Sequence, residues 1–424
     1  MNLIQILTTA QAKGQIKRWF CAIIDQESLS IGLQNSQIGG VYNPPNKKRS
    51  QSAQLLLELE GQKVVRNSLS RSEIENEHIL PKLLALAISE ESPPYFPERK
   101  NLPVVKVFSP ELRSQVEGKA TPLVEMLKII QHRVRPKVSL SGKAEARYTQ
   151  IQVHHSEGWQ LNTESTSTSV YAQVDGLWGF STRSRMQLES NQIEERSLRL
   201  SESVEPLHQE LKPPRAQIPI VFSDSFAGSL VQKYIFSNLS AHQVALGLSC
   251  FSTEKVKAQE KLFSSQLNLR FEGLRDYHIA SFRLNTDGTV GQNLDLISEG
   301  KLMNTIADLK GASLLHCAPT PLPEPSGLVW QTKREEQWDH LEEDFLFIDS
   351  ALGLHTQDAT TGSFSLAVPN AALVSKGKIV GRCKGRIQGN FFEILTLPIV
   401  SFTSPMMDNQ GLLLTEGVLF MSDL

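Results

Sequence analysis

Residues 218–230 read Ile218-Pro-Ile-Val-Phe-Ser-Asp-Ser-Phe-Ala-Gly-Ser-Leu230, and this stretch predicts a buried strand that leads directly into a helix. The β-branched and aromatic residues up to Phe222 are typical of a strand. Ser223 is placed to cap the helix, because its hydroxyl can accept a hydrogen bond from a free N–H group of the first turn. The helix carries Phe226, Leu230 and Tyr234 on one face. We expect this unit to begin the second half of the molecule.

The sequence on either side of this unit predicts an α+β fold of two domains. Residues 146–188 alternate apolar and polar side chains and contain an Asp175-Gly176 turn, a pattern that is typical of a β-meander. Residues 201–216 are polar and contain proline, and we take them as a linker. We therefore expect an N-terminal α/β domain at residues 1–200 and a β-rich C-terminal domain at residues 217–424.

Composition excludes several classes of protein. The chain of 424 residues has 43 Lys and Arg against 45 Asp and Glu, for a formal net charge of -2. This balance argues against non-specific binding to nucleic acid or to anionic membranes, since both require an excess of basic residues. The sequence has no uncharged apolar stretch of membrane-spanning length. Four scattered cysteines and the absence of a signal-peptide pattern at the N-terminus favour a cytoplasmic location.

The familiar catalytic and metal motifs are absent from the sequence. There is no HExxH, phosphate-binding loop, GxGxxG or GxSxG element. His154 and His155 are adjacent and should point to opposite faces of a strand, so we interpret them as an exposed strand pair rather than zinc ligands. Cys317 follows His316, but a nucleophile pair requires spatial contact, and a buried structural thiol is the simpler interpretation. The acidic run at residues 335–344 predicts an amphipathic helix with a solvated acidic face.

Residues 353–395 contain a series of motifs that point to a known family. They are Gly353-Leu-His-Thr356, Thr361-Gly-Ser-Phe-Ser-Leu366, Lys376-Gly-Lys-Ile379, Ile387-Gln-Gly-Asn390 and Phe392-Glu-Ile-Leu395. Together they resemble the C-terminal signature of the TldD/PmbA family. Asp287-Gly288, followed by Ile297-Ser-Glu-Gly-Lys-Leu302, is similar to a further stretch of that family. The resemblance extends over nearly the whole chain, with its specific motifs after residue 218.

The resemblance implies a role in peptide hydrolysis without a metal in this chain. The TldD branch is a zinc metallopeptidase with an HExxxH motif, and it pairs with TldE, also called PmbA. By alignment on Ala227-Gly228-x-Leu230, the two histidine positions are occupied here by Gln232 and Ser237, and the glutamate position by Lys233. An ammonium group repels a divalent cation, and Gln and Ser are poor zinc ligands. The chain is therefore similar to the TldE/PmbA branch, with no cofactor of its own and with zinc in a partner subunit.

The same resemblance suggests which residues contact a peptide. Peptides are thought to bind members of this family as an added strand in an enclosed cavity, and the C-terminal motifs supply candidates for its wall. The candidate substrate-binding residues are His355, Thr361, Gly362, Ser365, Gly389 and Asn390. Each also has a structural interpretation, because glycines satisfy turn geometry and hydroxyls in turns bond to the backbone.

Three hypotheses for the function follow. The first is a non-catalytic subunit that works on peptides with an HExxxH-bearing TldD-like partner, or that forms a homodimer if no such partner exists. The second is an independent peptidase that uses His355 or Cys317. The third is a non-enzymatic regulator of the DNA gyrase modulator type, for which the near-neutral charge argues against direct contact with nucleic acid.

Overall fold

A computed structural model of the protein describes residues 2–41, 43–90, 94–134, 139–176, 178–215, 218–331, 335–337, 341–397, 400–403, 410–414 and 418–422. The strands of the N-terminal half are β1 Arg18–Gln34, β2 Gln37–Ile38, β3 Asn46–Glu58, β4 Lys63–Ser70, β5 Ile88–Ser89, β6 Leu140–His155, β7 Gln160–Val174 and β8 Trp178–Ser184. Those of the C-terminal half are β9 Ile220–Phe222, β10 Asn268–Phe271, β11 Leu294–Ser298, β12 Lys301–Leu302, β13 Leu328–Gln331, β14 Glu335–Gln337, β15 Phe345–Ile348, β16 Ser363–Ser375, β17 Lys378–Asn390, β18 Val400–Thr403, β19 Gln410–Leu414 and β20 Val418–Ser422.

The helices are short in most of the chain. They are α1 Leu3–Ala12, α2 Arg71–Ile74, α3 Ile79–Ala85, α4 Pro110–Glu117, α5 Thr121–Arg133, α6 Ser190–Leu207, α7 Asp224–Leu230, α8 Ser237–Leu239, α9 Ala241–Ala245, α10 Thr253–Lys257, α11 Leu309–Leu315 and α12 Phe391–Ile394. A π-helical turn, Val231–Phe236, joins α7 to α8. Among the described residues, no helix combines the length and the apolar character needed to cross a membrane.

The N-terminal half is built on one antiparallel sheet in the order β5-β4-β3-β1-β6-β7-β8, with β2 paired to β1. The predicted meander is present as β6, β7 and β8, and Asp175 and Gly176 form the turn between the last two with positive φ. Alternate side chains of β1, β6 and β7 are buried beneath α4, α5 and α6. The sheet therefore has one face in an apolar core.

The C-terminal half contains a four-stranded sheet, β12-β11-β10-β13, and an eight-stranded sheet, β14-β18-β19-β9-β15-β16-β17-β20. Strand β9 lies in the interior of the larger sheet, parallel to β15 and antiparallel to β19. Its three residues are completely buried, as the apolar sequence predicted. The combination of helices with these sheets confirms the predicted α+β fold class.

Two apolar cores lie on opposite faces of the larger C-terminal sheet. Ile220 and Phe222 of β9 belong to one core, whereas Val221 between them belongs to the other. The second core also contains side chains of the N-terminal half, and the rings of Trp178 and Phe347 lie 5.7 Å apart in it. The two halves therefore share a continuous apolar core.

The predicted linker at residues 201–216 is partly helical. Residues 201–207 complete α6, where Val204 and Leu207 are buried in the shared core. The exposed segment begins at His208, and it is held against β17 because the Leu211 N–H donates to the carbonyl oxygen of Arg382. Prolines in the sequence suggested a break, but apolar burial extends the helix through Pro206. The domain limits at residues 1–200 and 217–424 stay a prediction.

Two local predictions were wrong. Residues 335–337 of the acidic run form a strand parallel to β18, and Phe345 begins the buried strand β15, so this region is not one helix. Trp338 of the same run lies outside the described residues. His155 is buried instead of exposed, with its ring stacked on Trp159 at a centroid distance of 4.7 Å. His155 also packs edge-on against the distant Phe96 ring at a centroid distance of 5.8 Å, so in both cases contacts with distant segments override the local pattern.

Burial lowers the pKa of His155, and we expect the stability of the fold to fall in acid for this reason. The folded state favours neutral His155, so its contribution is complete above the unfolded pKa of about 6.5 and is lost as pH falls through the lower folded pKa. His155→Phe keeps the stacking and removes the titration. Urea denaturation between pH 7 and pH 5 should show a shallower loss of unfolding free energy for this variant, by up to about 1.4 kcal/mol per pH unit. The exposed His132→Gln should keep the wild-type slope; equal slopes for H155F and wild type would contradict the assignment.

Candidate functional site

The helix that follows β9 changes from α to π geometry at the residues that align with the HExxxH positions of the TldD branch. Ser223 caps α7 as predicted, because its Oγ accepts a hydrogen bond from the Phe226 N–H at 3.1 Å. In an α-helix, residues five apart are about 140° apart around the axis. A π-helical turn closes its hydrogen bonds between residues i and i+5, so such residues lie one above the other. The hydroxyl of Ser237 accordingly donates to the carbonyl oxygen of Gln232 at 3.4 Å.

The side chains on this turn do not suit a zinc ion. Gln232 is exposed and Ser237 is half-buried. The ammonium group of Lys233, which is also half-buried, donates to the carbonyl oxygen of His355 at 3.3 Å. Within the part of the chain that the structure describes, no group of three or more His, Cys, Asp or Glu side chains is arranged to hold a metal ion. The π-helical turn therefore relates residues 232 and 237 as i and i+5, but their side chains differ from those of an HExxxH motif.

The π-helical turn and the loop at residues 353–365 form one hydrogen-bonded unit. The Tyr234 hydroxyl donates to the carbonyl oxygen of Ser363 at 3.0 Å. The amide of buried Asn238 donates to the carbonyl oxygens of Tyr234 and Ala359, each at 2.8 Å. Its own Oδ1 accepts from the Cys250 N–H at 2.9 Å. Lys233, Tyr234 and Asn238 therefore hold the loop at residues 353–365, called the motif loop below, against the π-helical turn.

Charge at the outer surface of this unit is balanced. Asp358 accepts hydrogen bonds from the N–H and the hydroxyl of Thr360, both at 2.8 Å. These bonds and the nearby Lys233 ammonium lower the pKa of Asp358, in that order of importance. The surface of this unit therefore carries one cation, Lys233, and one anion, Asp358, near each other.

The structure brings five of the six predicted substrate-binding residues together around the start of β16 and the end of β17, namely Thr361, Gly362, Ser365, Gly389 and Asn390. The strands pair Ser363 with Asn390 and Phe364 with Gly389, and the hydroxyl of Ser365 accepts from the Gln388 amide at 3.2 Å. The sixth residue, His355, is exposed in a 3-10 turn, Leu354–Thr356, whose His355 carbonyl oxygen accepts from Lys233. Their contact with a peptide stays a prediction.

Two of these residues have clear architectural tasks. Gly362 has φ of 73°, and a Cβ atom there would lie 2.5 Å from the Phe392 ring and 2.6 Å from the Asn390 Oδ1. Asn390 caps α12 by accepting from the Phe392 N–H at 2.9 Å, and its amide donates to the carbonyl oxygen of Thr361 at the same distance. The hydroxyl of Thr361 in turn donates to the carbonyl oxygen of Asp358. Hydrogen bonds among Asp358, Thr361 and Asn390 therefore stabilise the turn at Gly362.

The sequence did not predict that Asn238 and Lys233 contact the motif loop. A usable indication was present, since Asn238 is an amide within a run of apolar and aromatic residues, and a buried amide requires several partners. Two of those partners, Cys250 and Ala359, lie 12 and 121 residues away along the chain, so the sequence does not identify them.

The cysteines give little support to the independent peptidase hypothesis. Burial raises the pKa of the Cys317 thiol above its ordinary value, and it raises the pKa of Cys383 to about 11. His316 ends α11 in the left-handed conformation with φ of 52°, while the Cys317 N–H bonds back to the helix. A raised thiol pKa reduces the thiolate that a nucleophile needs.

Comparison with known proteins agrees with the fold and with the C-terminal motifs. Residues 215–404 match the model of a family described as the PmbA/TldA metallopeptidase C-terminal domain. An uncharacterized protein from Methanocaldococcus jannaschii is 25% identical over 185 residues, so the match covers 41% of this chain and 43% of that relative. The predicted resemblance to the TldD/PmbA family is confirmed.

Three crystal structures share the fold over nearly the entire chain. TldE from Thermococcus kodakarensis superposes with a TM-score of 0.78 at 16% identity, over 98% of this chain and 100% of that one. A protein from Bacteroides thetaiotaomicron, described as a candidate modulator of DNA gyrase, gives 0.75 at 16% identity over 99% and 98%. A similarly described protein from Thermotoga maritima gives 0.74 at 15% identity over 98% of each chain. At these identities the likeness shows the fold alone.

Removing the amide of Asn238 should loosen the π-helical turn and the motif loop together. Asn238→Ala leaves the Cys250 N–H and the Ala359 carbonyl without partners, so we expect a loss of about 2–3 kcal/mol in unfolding free energy. Hydrogen exchange should increase in residues 231–238 and in residues 353–365 together. Asn304→Ala is the matched control, because Asn304 makes a single exposed hydrogen bond to the Asp295 carbonyl oxygen. Faster exchange in only one of the two segments would show that they are not coupled.

Proposed function

Residues 215–404 of this chain belong to the PmbA/TldA metallopeptidase C-terminal domain family, and from this we propose that the protein is the TldE-like, non-catalytic partner of a zinc metallopeptidase. The observation that carries the proposal is the π-helical turn Val231–Phe236. It keeps the spatial relation that an HExxxH motif requires, while Gln232, Lys233 and Ser237 supply neither the ligands nor the base. A chain with this arrangement is suited to shaping and completing a peptide site, with the zinc held by an HExxxH-bearing partner.

The motif loop supports this role because its shape does not depend on a metal. Hydrogen bonds from Lys233, Tyr234 and Asn238 hold it, and the Gly362 turn fits closely against Phe392. A wall of this kind can present backbone groups to an extended peptide, whose recognition depends on main-chain hydrogen bonds more than on side-chain chemistry. We place His355, Thr361 and Ser365 on the peptide side of this wall, with Gly362, Gly389 and Asn390 supporting it.

The first test introduces the residues of an HExxxH motif into this chain. The triple variant Q232H/K233E/S237H should gain zinc affinity, because the π-helical turn brings residues 232 and 237 to one side. The wild type should hold no stoichiometric zinc. The matched control is S190H/N191E/E195H on α6, which places the same residue types at i and i+5 on an α-helix, where they diverge by about 140°. Equal zinc affinity of both variants by isothermal titration, or none in the first, would contradict the geometric argument.

The second test concerns the partner. The isolated chain should not hydrolyse peptides, and mixing it with an HExxxH-bearing TldD-like chain should raise that chain's peptidase activity at least several-fold and give a complex by gel filtration. The activity should disappear with a chelator, since the metal belongs to the partner. Chelator-resistant hydrolysis by the isolated chain would favour the independent peptidase, and His355→Ala and Cys317→Ala would then locate its nucleophile or base. Absence of any complex or activation would overturn the partner role.

A further inference from the structure

A segment without regular secondary structure runs along the seam between the two halves of the molecule. Residues 94–109, called the strap below, contain neither helix nor strand. On the C-terminal side, the carbonyl oxygen of Lys106 accepts from the Tyr277 N–H at 2.7 Å. On the N-terminal side, the carbonyl oxygen of Val107 accepts from the Thr166 N–H at 3.0 Å. The strap is therefore hydrogen-bonded to both halves.

The first residues of the strap are anchored by the buried ring of Phe96. The Arg18 guanidinium of β1 lies over this ring, at 4.4 Å from its centroid. The imidazole of His155 meets the same ring edge-on at 5.8 Å and is itself stacked on Trp159. One cation and one titratable ring thus hold the anchor of the strap.

The Asp287-Gly288 motif provides the seat for this end of the strap. Gly288 has φ of 82°, and a Cβ atom there would lie 2.7 Å from the Pro97 Cγ and 2.8 Å from the Phe20 ring. The Oδ1 of Asp287 fixes the turn, because it accepts from the N–H and the hydroxyl of Thr289 at 2.9 Å and 2.6 Å. The absence of a side chain at residue 288 therefore lets the strap lie directly against the C-terminal half.

His155 can take up a proton only by giving up a hydrogen bond. Its Nδ1 accepts from the Glu157 N–H at 3.1 Å, so the proton of the neutral ring is on Nε2. That Nε2 is buried and has no hydrogen-bond partner among the described residues. A second proton must go to Nδ1, whose lone pair already accepts the bond, and the ring would then hold two N–H groups without acceptors. The docked strap therefore favours neutral His155.

The surrounding charges do not compensate for this loss. Burial is the main reason that the pKa of His155 is lowered; the Glu157 carboxylate opposes the effect and Arg18 adds to it. Arg18 pairs with Glu58 at 2.6 Å, and Lys17 binds the same carboxylate at 2.9 Å. The Glu157 carboxylate lies 3.8 Å from the imidazole Nδ1 and is exposed, so a protonated ring is attracted toward solvent. The ionisable groups within two residues of the contacts of His155 are Lys17, Arg18, Tyr95, Glu98, His154 and Glu157.

We propose that His155 is a pH-sensitive latch that holds the strap in the seam while its ring is neutral. On protonation the imidazolium turns toward Glu157 and solvent, Phe96 loses a packing partner, and the start of the strap leaves its seat on Gly288. The core that the two halves share stays closed, so the change is local. In the released state His155 has its ordinary pKa of about 6.5, so release increases as pH falls below that value, by up to about tenfold per pH unit.

Hydrogen exchange of the full-length chain at pH 7.5 and pH 5.5, corrected for the intrinsic rate at each pH, tests the latch. In the wild type, exchange in the strap and in residues 155–159 should rise severalfold at pH 5.5, and up to about tenfold, while β9 and β15 stay protected. His155→Phe keeps an aromatic ring against Phe96 and removes the titration, so both segments should exchange equally at the two pH values. The exposed His132→Gln should respond like the wild type.

Two further variants complete the test. Glu157→Gln alters an exposed side chain and removes the anion toward which the imidazolium turns, so the rise in exchange should begin at lower pH. Glu260→Gln, which neutralises an exposed carboxylate of the C-terminal half, should leave it unchanged. Phe96→Ala should give fast exchange of the strap at both pH values. The proposal is overturned if the wild-type strap responds to pH no more than His155→Phe does, or if its exchange rises only together with that of β9 and β15.

Discussion

The burial of β9 on both of its faces is the constraint on which the rest of the molecule depends. Ile220 and Phe222 contribute to one apolar core and Val221 to the other, so three residues join the two cores at the larger C-terminal sheet. Strand β15 repeats the arrangement beside it, with Leu346 and Ile348 on one face. A buried strand of this kind cannot move without opening both cores, because packed interiors are close to crystal density.

This rigid strand positions the candidate site. Helix α7 follows β9 immediately and leads into the π-helical turn, and the same core contains Tyr234 and Ile235 of that turn. Side chains of Lys233, Tyr234 and Asn238 then bind the motif loop through its backbone carbonyl groups, which are present whatever the residue type. Neither Gln232 nor Ser237 contributes to the core, so the local fold does not depend on these two side chains.

The π-helical turn and an open groove elsewhere in the molecule depend on different parts of the same architecture. The π-helical turn lies within the C-terminal half, and its chemistry is that of a fixed ammonium group and backbone carbonyls. An open groove of about 590 Å³ lies where the N-terminal sheet approaches the C-terminal segments 286–287 and 308–310.

The sequence by itself determined the local elements and the resemblance to the TldD/PmbA family. Capping by Ser223, the strand before it, the Asp175-Gly176 turn and the C-terminal motifs could all be predicted, because each depends on residues close together in the chain. The poor suitability of Gln232, Lys233 and Ser237 as zinc ligands could equally be predicted, since it depends on residue type alone.

Only the tertiary structure decided the rest. The helical continuation through residues 201–207, the strand at residues 335–337 and the burial of His155 all result from contacts with distant segments, which override local preference. The π-helical turn could not be predicted either, since its sequence is compatible with an ordinary helix. The groove brings Arg66 and Asp287 to one place across more than two hundred residues, and no pattern along a chain specifies such an approach.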